Sequence, residues 1–452
     1  MAPVMAALVA CGGDDGAGDG RDAGGGASVD GGRDDASPPD SGAPPDAGLA
    51  DGSPDAADIR TVTVTFTSPD GPVQGADVVF LDADDGVIAI EVTDADGEAR
   101  AVFPTTGKVV IHRRVGSGDS HEVAAWLSVP PGSTILFGRH AGPGDASATL
   151  TVDGPALAGA TFYQVVTPCG TAESTGGVPT VTVALASCTP ATHLVWSAVE
   201  VDPTTGQRDT LATALEPEAD IAAGTYTMTA PYVSLVPVTV EVAGIPAVDR
   251  AHVQYSLHTV HGLVMEGSPE QGQPVGGSLK VVGNFLDLAG VPAVSGQFDV
   301  TFDRLGIGFI DVLARADHVP APILDVGGDL IPTILAPAFD PAARRFTWLE
   351  DGGGDASAVV ATLELDTSAT ISWLAVGPHQ SQELVLPLLP PPLGFLNPTP
   401  GSVIGDRKVT LYQHPGGYDP FRAELAAATS ADGIAAGERL LVSRHGPIPL
   451  PP

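Results

Sequence analysis

Three cysteines and eleven histidines are the side chains best suited to nucleophilic, acid–base or metal chemistry, and their spacing supports little of it. His121-Glu122 begins like the zinc-peptidase helix motif, which needs a second histidine three residues after the glutamate. Ala125 stands there instead. His258 and His261 are three apart, so in the strand expected over Tyr255 to Val260 they point to opposite faces. No Gly-x-Ser-x-Gly elbow and no glycine-rich phosphate loop occurs. Asp82, Asp84, Asp94 and Asp96 crowd two loops; they suit either a calcium site or ordinary turn chemistry. Dispersed carboxylates can still converge in space, which keeps a glycoside hydrolase or peptidase with an unrecognised site as an alternative.

The thiols divide into one and two. Leu8-Val9-Ala10-Cys11 closes a short apolar run, and Gly12-Gly13-Asp14-Asp15 opens a polar one. This junction resembles the lipobox of bacterial lipoproteins, in which a signal peptide is cut before a cysteine that carries a diacylglyceryl group. Met1 to Val9 departs from that pattern in holding no Lys or Arg. The resemblance implies a signal peptide over 1–10, lipidation at Cys11 and a bacterial cell-envelope location at the outer membrane or cell surface. Each buried acyl methylene contributes about 0.8 kcal/mol, and more than one chain gives stable anchoring. In such an oxidising setting Cys169 and Cys188, each at the end of a strand-like run, are expected to form a disulfide. The bridge would stabilise by about 3 kcal/mol in the chain-entropy estimate.

Residues 12–58 are mostly Gly, Asp, Ala, Pro and Ser, with Arg21 and Arg33 against many aspartates. Such a segment cannot bury enough apolar surface to offset chain entropy, so 11–58 reads as the lipid anchor and a disordered acidic linker. The net charge of -35 argues against nucleic acid and anionic headgroups, both of which need clustered Lys and Arg. After the linker, no apolar run reaches the ~20 residues of a membrane helix. Leu384 to Leu396 is the nearest, and prolines at 387 and 390–392 break it.

The rest of the 452 residues suffices for about three domains. With 56 glycines and 42 prolines, the pattern is one of short strands and many turns. Thr61-Val62-Thr63-Val64-Thr65-Phe66 alternates as a half-buried strand does. Asp70 to Val78, the turn Thr93-Asp94-Ala95-Asp96-Gly97 and the strand Lys108 to His112 follow in order. Together they resemble the carboxypeptidase regulatory-like domain, a transthyretin-like sandwich and an accessory module, which implies such a sandwich over 59–142. Strand candidates from Ala148 to Ala230, with the turn Pro203-Thr204-Thr205-Gly206, suggest an immunoglobulin-like sandwich over 143–235. Further strands fill 236–452, as one β domain or two, with a helix at Phe421 to Ala428 and the Pro-rich stretch Leu386 to Pro400 as a seam.

Trp126, Trp196, Trp348 and Trp373 lie in apolar runs and read either as a sugar-binding ladder or, better, as core plugs. Tyr412, Tyr418 and Phe421 frame the turn His414-Pro415-Gly416-Gly417, where they serve recognition or packing. The expectation is an all-β chain of tandem sandwiches with no catalytic residue, metal or cofactor. It is lipid-anchored to a membrane and has a structural or adhesive role. Binding of an extracellular glycan or protein is the alternative.

Overall fold

In the computed structural model the described residues run from 60 to 445. Breaks fall at 69–70, 116–118, 139–147, 186–190, 260, 267–269, 287, 289–293, 305–307, 320, 328–329, 367–368, 424 and 426–437. The signal peptide, Cys11 and the linker expected over 1–58 lie outside them, as does Cys188. The chain is all-β, built of packed sheets. No helix among the described residues is long and apolar enough to cross a membrane.

The first eight strands are β1 (Thr61–Ser68), β2 (Gly71–Pro72), β3 (Asp77–Asp82), β4 (Val87–Val92), β5 (Glu98–Val102), β6 (Gly107–Val115), β7 (Ser120–Val129) and β8 (Thr134–Gly138). They form two sheets face to face. One has β1 between β5 and β8, with β2 continuing its edge; the other runs β4-β3-β6-β7. The alternation in β1 sends Val62, Val64 and Phe66 inward and its threonines outward, the period-two consequence of the pleat. Gly97 closes the β4–β5 turn at φ +73, where an added Cβ would lie 2.4 Å from the Phe66 carbonyl. Only glycine fits there.

The second sheet does not stop at the sandwich. Thr370–Pro378 pairs with β7 in parallel, from Thr370 opposite Ser120 to Val376 opposite Trp126. Beyond it lie Ala358–Asp366, Val403–Gln413, Arg439–His445, Gly308–Asp317, Ser295–Arg304 and Arg250–Thr259; the short strands Gly262–Glu266 and Glu270–Gly272 add to the last. The result is a thirteen-stranded sheet. One face packs on β1, β5, β8 and a short helix, α1 (Tyr418–Ala423). The other buries a larger core under two three-stranded sheets, Leu235–Ala243 with Ser278–Leu286 and Ile323–Asp325, and Thr333–Asp340 with Arg345–Asp351 and Glu383–Val385.

Residues 148–232 make a separate sandwich with its own core around Trp196. Its long hairpin, Ala191–Val201 with Arg208–Asp220, reverses at Asp202, whose carboxylate accepts the Thr204 N–H at 2.7 Å.

Two expectations need correction. The stretch from Leu386 to Pro400 is not a seam but a lid on the larger core, with Leu386, Leu389, Leu393 and Leu396 buried. Proline carries no N–H, so a proline-rich segment can cross an apolar face with few donors to satisfy. Trp373 Nε1 donates to the Leu396 carbonyl at 3.0 Å, and the Asn397 side chain bonds Leu389 in both directions. The helix begins earlier than expected, at Tyr418 rather than Phe421, because Phe421 plugs the first core while Pro420 is tolerated in a first turn. Tyr418 Oη donates to the Leu127 carbonyl of β7.

Since Phe421 is fully buried in a core that it shares with β1, β3 and β6, Phe421→Ala should cost about 3–5 kcal/mol. Urea unfolding should show that loss in probes placed in 60–138. A loss confined to the C-terminal strands would contradict the shared core.

Candidate functional site

Three polar side chains form one row on the larger-core face of β3, β6 and β7. Asp77 is directly opposite His112 in the ladder, and its Oδ2 lies 2.9 Å from His112 Nδ1. His112 Nε2 lies 3.0 Å from His121 Nδ1. A carboxylate only accepts, so His112 donates through Nδ1 and accepts at Nε2, and His121 donates through Nδ1. The lone pair of His121 Nε2 is thereby left at the end of the row. The ring centroids are 5.2 Å apart with 25° between planes, which at this N–N distance sets the rings edge to edge. Their nitrogens point at each other rather than converging on a common ion. Phe395, on the lid, meets His121 edge-on at 5.2 Å. Burial, then His112 and Arg114, hold His121 below the ordinary histidine value, against a smaller pull from Asp119. The row can accept one proton at His121. Among the described residues no hydroxyl or thiol is bonded to either ring, so it has a base and an orienting carboxylate without a nucleophile.

A second cluster lies where the 148–232 sandwich meets the large sheet. His193, fully buried on Ala191–Val201, sets Nδ1 2.9 Å from Thr259 Oγ1. Thr259 Oγ1 also accepts the His261 N–H at 3.1 Å. Ser256 Oγ is 3.0 Å from His258 Nε2, and Arg315 lies alongside, its Nε bonded to Ser295 Oγ at 3.0 Å. Ser256 and His258 make the contact of a nucleophile and its base and are only 7% and 6% exposed. The strand ends at Thr259 and His261 occupies the following turn, so His258 and His261 do not share a strand as expected. His193 is the member that sequence spacing missed. Burial pushes it down to about 4, helped by His261 and His258 and opposed by the Leu263 backbone. Burial, then Arg315, pushes His258 down to about 4.

The remaining candidates are structural. Asp82 Oδ1 accepts the N–H groups of Asp84 and Gly86, and Asp94 Oδ1 those of Asp96 and Glu98, so each caps its own turn. Among the described residues no trio of His, Cys, Asp or Glu could hold a metal. All four tryptophans are buried as core plugs. Trp196 stacks on Tyr163 and donates to Tyr232 Oη at 3.1 Å; an added Cβ on Gly154 would come within 2.2 Å of its ring. Tyr412 and Phe421 are buried against each other, not presented for recognition. A small cleft of about 260 Å³ lies between β6, β7 and Gly377–Val385, lined by Lys108, Ser128, Ser381 and Glu383. Lys108 is already engaged by Asp85 at 2.6 Å. Cys169 lies in the turn between Phe162–Thr167 and Gly170–Glu173.

No protein-family model matches the chain, and no curated protein matches it. Among solved structures, the Bacillus anthracis TIE protein is 8% identical, with 60% of this chain and 50% of that chain covered and a TM-score of 0.15. This chain thus spans about half of that structure's length. A mutant of the major pilin of Streptococcus pyogenes is 7% identical, with 70% and 96% covered and a TM-score of 0.08.

The two buried histidines predict an acid-labile junction. Their folded values lie below the ordinary 6.5, so the unfolded chain binds protons first as pH falls. Stability is therefore full above about 6.5 and is lost toward 4, by about 1.4 kcal/mol per pH unit for each ring. Urea titrations from pH 7 to 5 should show this slope, and the double variant His193→Asn with His258→Asn should flatten it. An unchanged slope in the double variant would contradict the assignment.

Proposed function

We propose that this chain is a non-catalytic, lipid-anchored protein of a bacterial cell envelope that presents β-sandwich modules in a structural or adhesive role. The observation that carries the reading is the fate of the groups capable of chemistry. The Ser256–His258 pair is buried, the Asp77–His112–His121 row has no bonded nucleophile among the described residues, and the turn aspartates cap their own backbone. What remains is a large continuous sheet, suited to holding modules in fixed relation. The lipobox-like Leu8–Cys11 run and the acidic linker support placement on a tether outside the cytoplasm. Residues 59–142 serve on this reading as the accessory module that the carboxypeptidase regulatory-like resemblance implies. Cys169 and Cys188 form the disulfide: an added Cβ on Gly170 would lie 2.3 Å from the Ala184 carbonyl, so the Cys169 turn abuts the strand that leads to Cys188.

The protein expressed in a bacterial host should partition with membranes, and Cys11→Ser should release it or leave it unprocessed. Non-reducing peptide mapping should join Cys169 to Cys188. Purified protein should leave panels of peptide, ester and glycoside substrates unchanged. Turnover that disappears in a folded His121→Gln variant would replace this reading with an enzymatic one. Glycan binding without turnover would favour the alternative, a carbohydrate-binding lipoprotein.

A further inference from the structure

We propose that β4 is a docking edge for an extended segment of another protein, one whose apolar residues alternate along its middle and whose two ends carry Lys or Arg. This stands on the sheet edge alone, whether or not the chain is lipid-anchored.

β4 ends the thirteen-stranded sheet. Among the described residues it pairs with β3 and with no strand on its outer side. Its sequence, Val-Ile-Ala-Ile-Glu-Val, is strongly strand-forming and contains no proline or glycine. Val87, Ile90 and Val92 are 49%, 42% and 55% exposed. Their ladder partners Leu81, Val79 and Asp77 put all three on one face. Beside that face stands the lid, tied in by Leu388 N–H donating to Asp85 Oδ2 at 3.0 Å and by Phe395 against His112. Leu388 and Phe395 are exposed as well, which gives the edge an apolar wall. The other end of the sheet is treated differently, being finished by two short strands of five and three residues with a register shift. Short, irregular edges are how proteins discourage strand addition; β4 is six residues long, and its one register shift, at Ile88 near its start, still leaves Val87, Ile90 and Val92 on a common face.

Open N–H and C=O groups in extended conformation are satisfied by another strand, so the occupant is extended polypeptide. Charge selects its type. Exposed Asp84 precedes β4, Glu91 lies within it, and exposed Asp94 and Asp96 follow. A second copy of this chain meets like charge: antiparallel pairing of two β4 strands sets Asp84 of one against Asp94 and Asp96 of the other, and parallel pairing sets each acid against itself. The aspartate-rich residues 12–58 carry the same sign. A segment with basic ends complements all of these positions.

The test uses the full chain and a labelled probe peptide, Lys-Arg-Val-Thr-Val-Thr-Val-Arg-Lys, beside a control with Glu and Asp at its ends. Fluorescence anisotropy gives affinity, and hydrogen exchange gives location. The basic-ended peptide should bind and slow exchange in Val87–Val92, and the acidic-ended control should bind about tenfold more weakly or less. Ile90→Lys, at an exposed site, should weaken binding about tenfold or more while leaving the unfolding midpoint in place. Unaltered exchange in β4 with the peptide present, or equal binding by Ile90→Lys, would overturn the proposal. A wild-type dimer in sedimentation that Ile90→Lys dissociates would overturn it in favour of a second copy.

Discussion

The parallel pairing of β7 with Thr370–Pro378 is the contact on which the rest of the molecule depends. It joins segments some 240 residues apart and so carries a large loop-closure cost that local hydrogen bonds cannot offset alone. Burial on both faces offsets it. Trp126, opposite Val376, fills one core, and Trp373, opposite Val123, fills the other. A strand apolar on both faces is what a buried parallel neighbour requires. The four central residues of β7, Val123 to Trp126, are all buried accordingly. Without this junction the first sandwich would expose one edge of its second sheet, and α1 and the lid would lose much of what they cover.

The polar groups placed near these cores follow the same logic. Several buried hydrogen-bonding groups pair across the fold, Asp77 with His112, His193 Nδ1 with Thr259, and Trp373 with the Leu396 carbonyl, whereas Trp126 Nε1 and His193 Nε2 find no hydrogen-bond partner among the described residues. Asp85 ties the β3–β4 turn to the body through Lys108 at 2.6 Å and Arg344 at 3.5 Å, as well as through the Leu388 N–H. In each case a side chain able to do chemistry is spent on joining elements distant in sequence.

What the sequence made legible was local. The β1 alternation, the aspartate and glycine turns and the burial of the four tryptophans all depend on neighbours a few residues away. The alternating pattern also carried the all-β class. Pairings across long separations left no local trace. The parallel junction, the row that brings Asp77 to His112 and the meeting of His193 with Thr259 depend on register between remote strands, which a single chain does not display. The Leu386 to Pro400 stretch misled because proline density marks linkers and also marks backbone that can lie on an apolar surface. Nor does the sequence show that Gly154 must stay without a side chain, because the ring it makes room for, Trp196, is more than forty residues away.

The continuous sheet makes the first sandwich and the large sheet one cooperative body. Native-state hydrogen exchange across increasing denaturant, read at the amides of Ser120–Val129 and of Thr370–Pro378, measures whether the two open together. The two strands should open with the same free energy and the same denaturant dependence. Exchange of 60–138 through a separate, lower-energy opening, with Thr370–Pro378 still protected, would contradict the account.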